Sequence, residues 1–327
     1  MAENPSANGA LPPAAPQREG RLSVLRNRNF TLLWIGQVTS NSGSWMQIVA
    51  QGWLVFQLTG SPFYLGLVGM ARAIPMIVFP PMGGVIADRF PRLKLLKVTQ
   101  SISFGLALLL AVLVHTDVIE IWQIVVIGFC SGLVNSFDQP CRQALLPDLV
   151  RREDLAKAVA LNSSAWQGAA LFGPTLAGVT IAAVGVSGAF YANAISFLAV
   201  VAALFLMKDV PERSATSSGK GLTDDLFAGL RYVRATRLIL ALLVLSAVTN
   251  IFGRSYQQLL PVFAVDVFGE GELGLGFMMS APGAGTLIGA AAITMLADAR
   301  RKGVVFLLSM AAFSATLVLF SLNRTFV

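Results

Sequence analysis

The chain has 327 residues, of which 55% are hydrophobic and only 13% charged, and its mean hydropathy is +0.69. A water-soluble domain is far more polar, with about 25% charged residues, so this class is excluded. The net charge of +7 would suit a nucleic-acid partner if it formed one basic patch, but the basic residues are spread over alternate loops, which excludes that partner as well.

The apolar residues fall in blocks of about 20, the length that crosses the hydrocarbon core of a bilayer. Backbone polar groups in lipid must be satisfied within the segment, and the blocks lack the alternation of barrel strands, so they predict helices. The predicted fold class is an all-α membrane protein. We predict about nine transmembrane helices, at residues 29–57, 62–87, 95–115, 119–142, 157–184, 187–207, 238–264, 273–298 and 304–322.

The segments before and between these spans are polar. Residues 1–28 are rich in Ala, Pro and Asn and lack the apolar core of a signal peptide, so we predict a disordered cytoplasmic tail. Six spans follow within residues 29–207, and three more lie within residues 238–327. Residues 208–237 form the predicted cytoplasmic linker, with a surface helix that begins at Thr223, a residue type typical of a helix N-cap.

Lysine and arginine lie in alternate loops. One set comprises the tail and residues 89–97, 142–157, 208–237 and 300–302, whereas the opposite loops carry only acids such as Asp117 and Glu120. Short cytoplasmic loops carry an excess of Lys and Arg. The amino terminus is therefore predicted to be cytoplasmic.

The loop after the second span is repeated after the eighth. Residues 84–94 read GVIADRFPRLK and residues 296–302 read LADARRK, so that Asp88 and Asp298 correspond at an offset of 210 residues. Many transporters consist of two such repeats. In the first copy, Gly83 and Gly84 would allow close approach of helices, Asp88 would cap a neighbouring helix end, and the basic residues would anchor the loop in the cytoplasm.

This first copy resembles the G-x-L-A-D-R-x-G-R-K loop of the major facilitator superfamily, which joins the second and third helices. The resemblance implies two six-helix bundles, with Asp88 against the start of the eleventh helix to close the cytoplasmic gate. The gating-loop residues it predicts are Gly84, Asp88, Arg89 and Arg92.

A narrower resemblance lies further along the chain. Residues 135–150, 160–162 and 173–174 resemble the branch of the superfamily that includes enterobactin exporters and transmembrane secretion effectors, which implies export across the inner (plasma) membrane of a bacterium. Residues of the fifth span, from Gly168 to Gly178, resemble a loose form of the antiporter motif and suggest exchange against protons.

In this superfamily the first, fourth, seventh and tenth helices line a central cavity. Polar residues recur on one face of the first and seventh spans, as expected for helices beside a cavity. The alternative, that they only form hydrogen bonds between helices, stays open for each residue. The predicted cavity residues are Gln37, Asn41, Ser44, Gln51, Asn135, Asn250, Arg254 and Gln257.

Arg72 and Arg254 lie in the middle of predicted spans, where an unpaired charge is costly, and Asp138 lies near the cytoplasmic end of the fourth span. Arg254 belongs to a polar stripe and would attract an anionic or carboxylate-bearing substrate. Arg72 has no stripe around it, so it is either functional or bonded to helix carbonyls near Pro75. Asp138 either binds a proton or is the fixed partner of Arg142 or Arg92.

Members of the superfamily normally have twelve helices, whereas this chain ends after the ninth predicted span. The resemblance therefore implies a major facilitator fold with a six-helix N-terminal bundle and an incomplete C-terminal bundle. The predicted function is proton-coupled export of a small amphipathic molecule, such as a drug, siderophore or metabolite, by alternating access. The alternative is a truncated membrane fragment that does not transport and only associates with other membrane subunits.

The remaining classes of function lack support in the sequence. No span carries paired carboxylates, an HExxH motif or a Ser/His dyad, so an enzyme is not expected. Cys130 and Cys141 lack the spacing of a metal site, and neither a metal nor a cofactor is predicted. The expected partners are a small-molecule substrate and the lipid bilayer, with a monomer at full length.

Overall fold

The computed structural model describes residues 23–208 and 210, isolated positions between 231 and 253, and residues 256–295 and 302–322. Helices dominate, and these residues include no strand, which confirms the all-α class. The helices are α1 Arg28–Thr59, α2 Pro62–Val78, α3 Pro80–Arg89, α4 Arg92–His115, α5 Ile121–Leu149, α6 Leu155–Leu206, α7 Tyr256–Val262, α8 Glu272–Met295 and α9 Lys302–Leu322.

The ends of α1 follow from its flanking residues. Asn27 is the N-cap, and its side-chain oxygen accepts a hydrogen bond from the Phe30 backbone N–H at 3.2 Å. Its Nδ2 donates to the Leu149 carbonyl at 2.6 Å, which ties α1 to the end of α5. Gly60 ends α1 in the left-handed region, with φ 58°, which glycine adopts at little cost.

The second predicted span consists of two helices. α2 and α3 are bent by 49° at Phe79. Pro80 and Pro81 follow directly, and because proline has no backbone N–H, the hydrogen-bond ladder is interrupted there.

α6 covers the fifth and sixth predicted spans and breaks at Gly185, whose φ is 80° and ψ 174°. Its two halves flank α1 through glycines. A Cβ on Gly173 would lie 2.5 Å from the Trp45 Cβ, and a Cβ on Gly43 would overlap Ser196 and Asn193. Because glycine has no side chain, α1 can pack directly between the two halves of α6 at these two positions.

The helices enclose two apolar cores with a polar layer between them. One core includes Val49, Leu110 and Phe190, and the other, toward the predicted cytoplasmic side, includes Leu33 and Leu145. Between the two cores each of α1, α4, α5 and the second half of α6 contributes buried polar residues. These are Gln37, Ser40, Gln47, Thr99, Gln100, Ser136, Asp138, Arg142, Asn193 and Ser196.

Three of the described helical segments are long and apolar enough to cross a membrane: α4, α5 and Arg152–Leu206. α2 and α3 make a fourth if the bent pair counts as one span. The third segment has 55 residues, or roughly 80 Å of helix, enough for two crossings of a core about 30 Å thick. The number of spans along the whole chain stays a prediction.

Several predictions fall outside the described residues. They are the surface helix from Thr223, the second copy of the loop around Asp298, and most of the linker at 208–237. The division of the chain into two bundles at that linker therefore also stays a prediction.

Candidate functional site

Three adjoining cavities lie within the polar layer. Their empty volumes are about 650, 380 and 370 Å³, which includes space open to solvent. The largest lies toward the predicted cytoplasmic side, and the smallest extends toward the opposite side, past Leu65 and Val55. The largest cavity is lined by Gln37, Ser40, Asn41, Ser44, Trp45, Ile48, Arg72, Met76, Gln100, Ser103, Asn135, Asp138, Gln139, Arg142, Trp166 and Phe197.

Arg72 lines all three cavities. It lies ten residues after Pro62, so it is roughly 15 Å along the helix from the start of α2, about half the thickness of the hydrocarbon core. A Cβ on Gly132 would overlap the Arg72 carbonyl oxygen, so this glycine lets α2 pack directly against α5. The backbone of Arg72 is thereby held at mid-membrane depth.

Arg72 has polar neighbours from other helices. The sequence places no polar stripe around it on its own span, but Ser44, Ser103 and Asn135 line the same cavity. The spacing within one helix does not show such neighbours. The Arg72 side chain forms no hydrogen bond or ion pair with any residue in the part of the chain that the structure describes.

Asp138 is held by four hydrogen bonds. Its Oδ1 accepts from Thr99 Oγ1 and Gln100 Nε2, both at 2.7 Å. Its Oδ2 accepts from Nε and Nη2 of Arg142, at 3.2 and 2.9 Å. Arg142 follows Asp138 by one helical turn, so the ion pair forms within α5. Such a buried pair is stable only when its remaining polar atoms also find partners.

Three buried donors beside the largest cavity lack a partner in the structure. They are Asn41 Nδ2, Trp45 Nε1 and Arg142 Nη1. One buried acceptor, Gln100 Oε1, also lacks a hydrogen-bond partner among the described residues. Buried polar groups are nearly always hydrogen-bonded. The cavity therefore offers hydrogen-bonding capacity, mostly from donors, to whatever occupies it.

One wall of the cavity is aromatic. The Trp45 and Trp166 rings lie 6.0 Å apart, with 55° between their planes, and Phe197 lines the same space. Aromatic side chains provide large apolar contact surfaces. The site can therefore take a ligand that is partly apolar and partly polar.

Not every polar residue of this layer is free to bind a ligand. Asn193, which is 1% exposed, donates from Nδ2 to Gln47 Oε1, and Ser196 Oγ donates to Asn193 Oδ1 at 3.1 Å. The first of these bonds joins α1 to the second half of α6, and the second lies within α6. Gln47 and Asn193 thus connect helices, even though both border a cavity.

The structure brings most of the predicted cavity residues together. Gln37, Asn41, Ser44 and Asn135 line the largest cavity, as does Asp138, and Gln51 lines the third. Asn250 and Arg254 lie outside the described residues. Gln257 is not among the linings of these three cavities, whereas Gln258, the next residue, lines the third beside Arg72.

Other residues that line the largest cavity were not predicted from the sequence. They are Trp45, Gln100, Ser103, Arg142, Trp166 and Phe197. Gln100 and Ser103 lie on the third predicted span, and Trp166 lies on the fifth, which the resemblance does not assign to the cavity. Their polar or aromatic character within an apolar span was the available signal.

The gating loop is only partly as predicted. Gly83 packs closely, because its Cβ would overlap the Ser136 carbonyl oxygen. A Cβ on Gly84 would meet no atom of the described residues, so the role of Gly84 in close packing stays a prediction. Asp88 caps no helix among the described residues; its side chain is 70% exposed and lies 3.5 Å from Arg92 Nη2. Arg89 is exposed.

Arg92 is the residue of this loop with the strongest contacts. Its Nη1 donates to Asp148 Oδ2 at 2.7 Å and to the Ala144 carbonyl at 2.8 Å. Both acceptors belong to the last turns of α5. Arg92 therefore fixes the start of α4 to the last turns of α5, in addition to its predicted role of anchoring the loop in the cytoplasm.

The first half of α6 also contacts α8. Thr175 N–H donates to Ser280 Oγ at 3.1 Å, and the two hydroxyls lie 2.7 Å apart. Gly178 packs against the backbone of Glu272, and Gly276 against that of Pro174. The glycines of the loose antiporter motif thus take part in a close helix contact, except Gly168, which has open space around it.

The structure gives no indication of a metal centre. No group of three or more potential metal ligands occurs among the residues that were described.

Comparison with known proteins extends these observations. Residues 19–326 match the family profile described as transmembrane secretion effector. The chain is 30% identical over 248 residues to the staphyloferrin A transporter of Staphylococcus aureus, covering 74% of this chain and 61% of that protein. It is 23% identical over 269 residues to the multidrug efflux pump Tap of Mycolicibacterium fortuitum, covering 79% of this chain and 65% of that one. The chain thus spans less than two thirds of the length of these relatives.

A solved structure has a similar fold. It is a bacterial homologue of the human lysosomal transporter Spinster, crystallised in an inward-facing and unoccupied conformation. The TM-score is 0.64 with 11% sequence identity, over 82% of this chain and 63% of that chain. At this identity the likeness concerns the fold alone.

Proposed function

This chain belongs to the transmembrane secretion effector family of the major facilitator superfamily, and from that premise we propose that it exports a small amphipathic molecule from the bacterial cytoplasm across the inner membrane. The observation that carries the proposal is the polar cavity between two apolar cores. Polar side chains at membrane depth are expensive unless they face a water-filled space or each other. Several of these face a cavity and lack protein partners.

The lining of the cavity supports a small-molecule substrate, because ligand sites combine apolar and aromatic walls with a few polar groups. Its aromatic wall suits an apolar part of the substrate, and its donors suit a polar part. The relatives named as a staphyloferrin A transporter and a multidrug efflux pump support siderophores and drugs as the compounds to test first.

Alternating access is the mechanism we propose. The cavity lies about halfway along α2, where a substrate site would be exposed to either side in turn as two bundles rock against each other. The contact between α6 and α8 through Thr175 and Ser280 is one place where such a movement would change the packing. The amino terminus is cytoplasmic in this proposal.

Proton coupling is a further part of the proposal. Asp138 is the only carboxylate among the described residues that line these three cavities, which makes it the group to which we assign proton binding. Protonation requires Asp138 to give up its pair with Arg142, so the competing role, a fixed partner for that arginine, predicts transport without a proton.

Transport into inside-out vesicles that contain the product of the source gene tests the proposal. We expect a labelled siderophore or macrolide to accumulate under an imposed proton gradient. Asn41→Leu, which fills the cavity, should abolish this accumulation. Thr39→Leu, on the exposed face of the same helix, is the matched control and should transport normally. The proposal fails if no compound moves under a verified gradient, or if both variants behave alike.

A further inference from the structure

We infer that the cavity binds its substrate through a carboxylate or a comparable anionic group, with Arg72 as the principal positive charge. This inference rests on the proposed function, since it names the chemical class of the molecule that the cavity receives. Three features of the structure support it: the charge balance of the cavity, the kind of unsatisfied polar group that faces it, and the place of Arg72.

The charges that line the cavity do not cancel. Among the described residues, those that line the three cavities and carry a charge are Arg72, Arg142 and Asp138. Arg142 and Asp138 form an ion pair, and the Asp138 carboxylate already accepts four hydrogen bonds. The positive charge of Arg72 is therefore left over, in a region where an uncompensated charge is unfavourable. An anion in the cavity would compensate it.

The unsatisfied polar atoms are mostly donors. Asn41 Nδ2, Trp45 Nε1 and Arg142 Nη1 need acceptors, and a carboxylate provides acceptors only. Hydrogen bonds between a charged donor and a charged acceptor are about twice as strong as neutral ones. A cationic ligand would satisfy none of the three donors and would add to the positive charge. The single acceptor, Gln100 Oε1, suits a hydroxyl group elsewhere on the ligand.

Arg72 lies where the three cavities adjoin one another. It borders the inner, middle and outer cavities alike, so a molecule that passes from one to the next must pass its guanidinium group. The aromatic wall formed by Trp45, Trp166 and Phe197 lies beside the largest cavity. The preferred ligand therefore combines an anionic group with an apolar, preferably aromatic, part.

A binding measurement that needs no gradient tests this inference. Naphthalene-2-carboxylate and naphthalene-2-carboxamide have nearly the same shape and differ in charge. With the protein in lipid nanodiscs, we expect the carboxylate to bind with an affinity at least tenfold higher than that of the carboxamide. Equal binding of the two probes, or a preference for the carboxamide, overturns the inference. This comparison uses the unaltered protein, so it does not depend on the folding of any variant.

Variants then assign the effect to Arg72. Arg72→Gln should reduce the affinity for the carboxylate at least tenfold and leave that for the carboxamide nearly unchanged, whereas Arg72→Lys should retain most of the affinity. Arg151→Gln removes the same charge from an exposed site and should change neither. If a well-folded Arg72→Gln protein binds the carboxylate as well as the unaltered protein, the assignment is wrong.

The outcome also separates this inference from the proposed function. Preferential binding of the carboxylate by a protein that transports nothing supports the anion site and contradicts export. Export of a neutral or cationic compound through the cavity, without any preference for the carboxylate, contradicts the anion site and supports export.

Discussion

Arg142 holds Asp138 with two of its three guanidinium nitrogens, at 2.9 and 3.2 Å, while its third nitrogen has no partner. Both side chains are buried within α5. The pair thus stabilises a carboxylate at membrane depth and still presents a charged donor to the cavity. The two residues are expected to act as a unit in stability and only Arg142 to contact the ligand directly.

Removing one partner of this ion pair should destabilise the protein more than removing both. Arg142→Gln leaves the buried Asp138 carboxylate uncompensated, at a cost of roughly 3 kcal/mol or more of unfolding free energy. The double variant Asp138→Asn with Arg142→Gln should cost clearly less, because no charge is left. Unfolding in mixed detergent micelles, followed by tryptophan fluorescence, measures both. Equal losses in the single and double variants would show that the ion pair is not the stabilising feature.

Glycine at position 132 should be required for the packing of α2 on α5. Gly132→Ala places a methyl group against the Arg72 carbonyl oxygen, and overpacking of this kind costs about 1–3 kcal/mol. Gly105→Ala, in α4, is the matched control because its Cβ would meet open space. We expect only the first to lower the thermal midpoint in detergent. It should also weaken ligand binding, since it displaces Arg72.

The two acidic partners of Arg92 should differ in their effects. The Asp148 side chain is 7% exposed and lies 2.7 Å from Arg92, whereas Asp88 is 70% exposed and lies 3.5 Å away. Exposed pairs contribute about 0–1 kcal/mol. Asp148→Asn should therefore lower the stability measurably and Asp88→Asn should not. If Asp88 acts in gating, Asp88→Asn should reduce transport even though the stability is unchanged. Normal transport by that variant would show that Asp88 has no role in gating.

Labelling of single cysteines should establish the orientation. In a background with Cys130→Ala and Cys141→Ala, Val118→Cys should react with a membrane-impermeant maleimide on intact cells, because this exposed residue follows α4 on the predicted outer side. Arg151→Cys should react only after permeabilisation. The reverse pattern would invert the predicted topology.

The sequence predicted the class of fold and one wall of the site. Gln37, Asn41 and Ser44 share a face of α1 because helical spacing is regular, and this face lines the cavity. The walls from α4 and α6 were missed, because which helices meet depends on packing at Gly43, Gly132 and Gly173 rather than on the periodicity of any one helix. The polar neighbours of Arg72 were missed for the same reason.

In two places the residue that makes the contact is next to the residue predicted from the sequence. Among the described residues, close packing involves Gly83 and not Gly84, and Gln258 rather than Gln257 lines a cavity. Neighbouring positions on a helix are about 100° apart. When one residue faces a neighbouring helix or a cavity, the next residue therefore points in another direction. A motif in the sequence identifies the region but not the rotation of the helix.

The uncompensated charge of Arg72 also bears on the energy source for export. A monovalent anion that leaves a cell with a negative interior gains roughly 2.3 kcal/mol for every 100 mV of membrane potential, equivalent to a concentration ratio of roughly 50-fold. Exchange of such an anion for an incoming proton moves two charges along the electrical gradient, so the membrane potential adds to the pH gradient as a driving force. For such a substrate, collapse of the membrane potential at constant pH should slow export more than collapse of the pH gradient at constant potential.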